Sequence, residues 1–175
     1  MAIRNILKDG DPTLRKRSRE VTSFDGRLHV LLDDMKETME DADGAGLAAP
    51  QVGVLRRVVV VATQDGILEL INPEIIGTEG EQEGIEGCLS FPGTYGIVNR
   101  PAKVTVRAQD RHGKEFTVTG EGIVARAFCH ETDHLDGVVF TERAQRILTP
   151  EELEELFAAS EDSEDKLEED TNNRE

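Results

Sequence analysis

Between about Asp25 and Asp41, apolar residues recur at three- and four-residue steps, at Leu28, Leu31, Leu32, Met35 and Met39. That spacing predicts an amphipathic helix packed along one side. Upstream of it, Ile3 to Val21 carries no period, and Asp11-Pro12 marks a turn. The basic cluster Arg15-Lys16-Arg17 reads as a solvated face. Two glycines and a proline within Gly44-Ala45-Gly46-Leu47-Ala48-Ala49-Pro50-Gln51 cannot continue the helix, so the chain bends there or something approaches its backbone closely. Arg56 to Ala62 is nearly continuous in valine, the pattern of a buried strand. Asp65-Gly66 then turns the chain into Ile67–Asn72 through a three- or four-residue loop.

Short extended pieces follow over Glu74–Gly84, broken by Gly77 and Gly80, and over Lys103–Ala108, where Val104, Val106 and Ala108 alternate. Gly113 turns the chain into Glu115–Thr119. Beyond Gly120-Glu121-Gly122, the positions Ile123, Ala127, His130 and His134 share a helical face up to a stop at Gly137. Val138-Val139-Phe140 is a short extended piece. Thr149-Pro150 with Glu152 resembles an N-cap, a first-turn proline and a capping box, opening a last helix to about Ala159.

The length of 175 residues suits one domain with one core, here residues 1–160. The last 25 residues carry 12 acidic and two basic side chains, −10 of the formal −16. Residues 161–175 are almost free of apolar side chains, so this acidic tail is expected to be disordered. Such a charge balance argues against binding a nucleic-acid backbone, and no obvious exposed apolar stripe calls for an oligomer, so a monomer is expected. No apolar run reaches the length of a signal peptide or a membrane span, which points to the cytoplasm. In a reducing compartment, Cys88 and Cys129 are expected to serve metal or thiol chemistry rather than a disulfide.

His130-Glu131-Thr132-Asp133-His134 carries the chemistry. Two histidines four apart on a helix can reach one metal ion from the same face, and the intervening Glu131 can take a proton from water. A hydrolytic metal site needs a third protein ligand and an open position. Cys88, in Glu86-Gly87-Cys88-Leu89-Ser90, is the best candidate. Its rival Cys129 is rotated about 100° from His130 and should point past the metal as a buried small residue.

Gly44–Gln51, Glu86–Ser90 and His130–His134, in that order, strongly resemble the three motifs of the bacterial peptide deformylases, G-Φ-G-Φ-A-A-x-Q, E-G-C-L-S and H-E-x-D-H. The similarity extends in weaker form from Pro12 to about Phe140. The resemblance implies an α+β fold in which mixed and antiparallel sheets surround a central helix carrying the two histidines. It implies a metal-dependent hydrolase that removes the formyl group from the formyl-methionine of nascent polypeptides. By the family pattern, Cys88, His130 and His134 hold one divalent metal, Glu131 is the acid/base, and Gln51 with the Leu89 N–H forms the oxyanion site. Iron(II) is the family's first choice, with zinc, nickel or cobalt as substitutes.

A peptide would lie extended against Ala45 and Gly46 on one side and Gly87 on the other. Glu86 and Arg100 are expected to pair and hold the Cys88 segment. The sequence departs from the pattern at Ala45, where a larger aliphatic residue is frequent, and at Cys129, where glutamine is common. Two other readings fit the histidine motif alone: a zinc endopeptidase, which would need a later His or Glu as third ligand, and a metal-stabilised module without activity.

Overall fold

The computed structural model describes residues 2–172, with side chains described through residue 161. Helix α1 spans Gly26–Asp41 and is capped by the Asp25 carboxylate, which accepts from the Leu28 N–H at 3.2 Å. Its five periodic residues are all buried, as the three- and four-residue spacing requires. Strand β1 (Gly46–Ala48) pairs with β2 (Val58–Thr63), and β2 with the long strand β3 (Gly66–Glu79). With β6 (Lys103–Gln109) and β7 (Glu115–Glu121) they form a five-stranded antiparallel sheet in the order β1-β2-β3-β6-β7. A smaller antiparallel sheet contains β4 (Gln82–Cys88), β5 (Phe91–Arg100) and β8 (Arg146–Ile147) in that order.

The valine run of β2 is explained by burial on both faces. Successive side chains of a strand point to opposite sides. Val59 and Val61 pack with Ala125, Phe128 and Leu135 of helix α2 (Gly122–Leu135), while Val58 and Val60 pack with Leu32, Met35 and Met39 of α1. The large sheet is thus covered by a helix on each face. On its far side, α2 reaches the small sheet through polar side chains, which makes it the central helix of the fold.

Several local expectations change. Thr63 pairs with Gly66, so the β2–β3 loop has two residues, Gln64 and Asp65, rather than three or four. The Thr63 hydroxyl closes this turn by donating to the Gly66 carbonyl at 2.7 Å. At Gly77 the strand does not end but its pairing shifts: β3 runs on to Glu79, with register shifts between Ile71 and Glu74 and between Ile75 and Gly77, and Asn72 takes a positive φ of 51°. The Asn72 amide offsets that conformation by bonding Val21 N–H, Val21 carbonyl and Gln109.

Ile123, in the first turn of α2, is 77% exposed rather than buried. Val138 and Val139 lie outside any strand, and Phe140 opens a one-turn helix, α3 (Phe140–Arg143). The Thr149–Glu152 capping box forms, each side chain meeting the other's backbone N–H. Helix α4, Pro150–Asn172, runs on beyond Ala159 through the Glu- and Asp-rich sequence for which composition suggests disorder; residues 173–175 lie outside the described residues.

Gly137 ends α2 with φ of 73°, and a Cβ there would lie 2.5 Å from the Arg15 carbonyl oxygen. Both the left-handed backbone and the rigid neighbour oppose a side chain. Gly137→Ala should therefore lower unfolding free energy by at least about 2 kcal/mol in urea titrations. An unchanged midpoint would show that the α2 terminus and the N-terminal arm do not pack this tightly.

Candidate active site

Helix α2 places His130 and His134 one turn apart, with ring centroids 5.0 Å from each other. Cys88 arrives from the end of β4, with its Sγ 3.4 Å from His134 Nε2. The three candidate ligand atoms all lie within 4.8 Å of one another. Among the described residues no other group of three His, Cys, Asp or Glu side chains converges in this way. Cys129 turns the other way into the core shared with the large sheet, where burial pushes its thiol pKa up; both cysteines are free.

The donor set fits a transition metal. A thiol and two imidazoles are soft to borderline ligands. His134 is buried and has no hydrogen-bond partner on Nδ1. Burial, together with the neighbouring His130, pushes its pKa down to about 3, so it stands as a neutral imidazole. Burial opposes charge on His130 as well, but bonding to Cys88 and Glu86 outweighs it and holds that ring up to about 10.

Glu86 supplies the ring's orientation. Its Oε2 meets His130 Nδ1 at 2.8 Å, which leaves Nε2 for the site. Arg100 grips the same carboxylate with two bonds of 3.0 and 2.8 Å, the pairing expected from sequence. Burial raises the Glu86 pKa, yet the His130 and Arg100 hydrogen bonds overcome this and bring it down to about 2. Two members of this network escape the sequence reading. Arg126 donates to Glu86 Oε1 and to the Val98 carbonyl, both at 3.0 Å, and Asp133 accepts from Arg100 at 2.8 Å. Helical spacing was the available signal, since Arg126 precedes His130 by four residues and Asp133 follows it by three.

Glu131 is buried, with no partner for Oε2, and burial raises its pKa to about 7. Gln51 is fixed at both ends of its amide. Its Oε1 accepts from the Ala48 N–H at 2.9 Å, and its Nε2 donates to Ser90 Oγ at 3.1 Å and towards Cys88 Sγ at 3.5 Å. Ser90, fully buried, is another residue that sequence reasoning missed. Leu89 lies in the turn after Cys88, with its carbonyl accepting from Lys8.

A cleft of about 770 Å³ opens in front of these groups. Ala45, Gly46, Gln51, Glu86, Gly87, Cys88, Leu89, His130 and Glu131 all line it, whereas Arg100 and His134 stand behind. The two glycines have an internal reason. A Cβ on Gly46 would sit 2.7 Å from Glu131 Oε1, and one on Gly87 would sit 2.7 Å from the Tyr95 ring. Both are required by the protein's own side chains before any ligand is considered.

Comparison with known proteins agrees with the motif resemblance. The family model described as polypeptide deformylase matches residues 3–149. The chain is 56% identical over 154 residues to a peptide deformylase of Acetivibrio thermocellus, covering 88% of this chain and 91% of that one. The crystal structure of peptide deformylase from Thermotoga maritima matches with a TM-score of 0.81 and 40% identity, covering 83% of this chain and all of the other. That of a peptide deformylase from Legionella pneumophila gives 0.79 and 44%, covering 95% and 98%.

Replacing Glu86 by glutamine would leave Arg100 and Arg126 with one neutral acceptor in place of a shared anion. Breaking a buried ion pair costs about 3 kcal/mol or more. Glu86→Gln should lose roughly that amount in denaturant titrations, and a loss below about 1 kcal/mol would mean that the network does not brace this seam.

Proposed function

The chain belongs to the polypeptide deformylase family, metal-dependent hydrolases that remove the formyl group from the N-terminal methionine of new polypeptides, and on that premise we propose the roles of its residues. Cys88, His130 and His134 hold one divalent metal ion, a reading supported by the convergence of their ligand atoms and by the unpartnered Nδ1 of His134. Bound there, the ion supplies Lewis-acid polarisation and hydroxide at neutral pH. Thiolate and imidazole suit iron(II) or zinc; iron(II) is our assignment, with nickel or cobalt as replacements.

Glu131 takes the proton of the attacking water and passes it to the departing amine nitrogen, releasing formate and a free N-terminal methionine. Its place at the cleft wall, with Oε2 buried and unbonded, supports this role. The Gln51 amide, with its oxygen occupied by Ala48, can present only N–H to the site, and it joins the Leu89 N–H in holding the oxyanion. The peptide lies extended between two sheet edges. Strand β1 ends the large sheet and β4 ends the small one, and the cleft runs along both beside Ala45, Gly46 and Gly87. Glu86 and Arg100 set the orientation of His130 and of the Cys88 strand.

No described helix is long and apolar enough to cross a membrane. We place the enzyme in the cytoplasm as a monomer acting on formyl-methionyl nascent chains. The observation that carries the reading over an endopeptidase is the third ligand: Cys88, not a residue downstream of His134, completes the group.

Formate release from a formyl-methionyl peptide by metal-replete protein tests the assignment. Gln51→Ala should retain metal and lower kcat by about 10²- to 10³-fold. Glu131→Ala should retain metal and be nearly inactive, and ready turnover by either variant removes that residue from its role. Residues 1–160 are proposed to contain the whole catalytic unit. A chain ending at Ser160, which keeps Phe157 against Tyr95, should match the full chain in kcat/KM. A marked fall would assign the acidic segment a part in the reaction.

A further inference from the structure

A second cavity, of about 470 Å³, lies between the N-terminal arm, the first turn of α1 and the loop before β2. Its floor is aliphatic, formed by Val21, Leu28, Leu31 and Val54. Arg4, Arg19, Arg27 and Arg56 stand around it. The chain has 36 acidic residues against 20 basic ones, and three of these four arginines, Arg19, Arg27 and Arg56, are solvent-exposed. Every other arginine with a described side chain reaches an Asp or Glu within 4.0 Å. Among the described residues, the guanidinium groups of Arg19, Arg27 and Arg56 alone have no hydrogen-bond or ion-pair partner, and all three line this one cavity. Glu20 and Asp25 share the rim without pairing with them.

All three are also placed against local electrostatics. Arg19 and Arg56 are directly opposed in an isolated parallel bridge, fixed by bonds from Arg19 N–H to the Leu55 carbonyl and from Arg57 N–H to the Arg19 carbonyl. Like charges so opposed are destabilising. Arg27 sits in the first turn of the 16-residue helix α1, where the helix dipole disfavours a cation. Local conflicts without an internal gain gather at functional sites, and an anion between these groups would turn each conflict into attraction.

We propose that this cavity binds a phosphate-bearing organic anion of nucleotide size. Planar guanidinium groups bond phosphate oxygens in pairs. Several such groups around one bowl suit a ligand with more than one negative charge. The aliphatic floor takes its uncharged body, and the volume lies within the range of small-molecule sites. A long polyanion would meet the rest of a −16 surface.

Calorimetric titration of ATP into the metal-loaded full chain at low salt tests this, with tripolyphosphate and a single-stranded RNA oligonucleotide as parallel arms. One saturable site is expected, tighter for ATP than for tripolyphosphate. The double variant Arg19→Gln/Arg56→Gln, and independently Arg27→Gln, should weaken ATP binding by about tenfold or more. Arg107→Gln, whose guanidinium pairs with Glu74 elsewhere, should not. Deformylase activity without ATP, unchanged in all three, verifies folding. The proposal is overturned by absence of binding at millimolar ATP, by equal ATP affinity in the double variant, by tripolyphosphate binding as tightly as ATP, or by tighter binding of the RNA.

Discussion

One buried carboxylate holds the two halves of this fold together. Glu86 sits on β4, and its two oxygens are shared by Arg100 from β5 and by Arg126 and His130 from α2. The small sheet has little apolar contact of its own, a cluster built from Phe91, Val98, Val139 and Phe140. A polar network therefore does what a larger core would do elsewhere, fixing β4 at a set distance and angle from α2. Burying so many charges is tolerable only because the bonds are complete on both sides. The position of Cys88, two residues after Glu86 on the same strand, follows from that lock.

Sequence patterning captured what depends on burial along a single element. The periodic face of α1, the valine strand β2, the alternation in β6 and the histidine pair of α2 all report a side chain's relation to its own axis. The small sheet was mostly hidden. In β5 the buried positions are Phe91, Gly96, Val98 and Arg100, so a glycine and an arginine interrupt the alternation that marks a strand. Arg100 is buried because of Glu86, a fact about another strand. The exposure of Ile123 has the opposite cause: helical phase was right, but the face it shares with Ala127 and His130 opens on the cleft instead of on a core. The acidic segment after Ala159 shows the limit of composition, since Glu and Lys lower core-forming power while retaining good helix propensity.

The cleft is made as much by missing atoms as by present ones. Gly46 leaves room for Glu131, Gly87 for Tyr95 and Gly84 for Arg126, each clearance being 2.7 to 2.9 Å to a hypothetical Cβ. All three lie on β1 or β4, the edge strands that flank the opening. An edge offers unpaired backbone groups, and natural sheets usually cover or charge them. Here the edges are left open, and glycine lets large functional side chains fold in beneath them.

Glu86 and Glu131 stand in contrasting states, and the contrast assigns their work. Glu86 has its hydrogen-bonding capacity taken by two guanidinium groups and an imidazole, so its charge is fixed and its proton affinity falls. Such a group can orient a neighbour but has no vacancy for a moving proton. Glu131, one position along the helix from the same histidine, is buried at the cleft wall with Oε2 unbonded, and its proton affinity rises. Two carboxylates whose surroundings push them apart in this way divide structure from chemistry. The partner count alone, three against none on the free oxygen, separates the brace from the base.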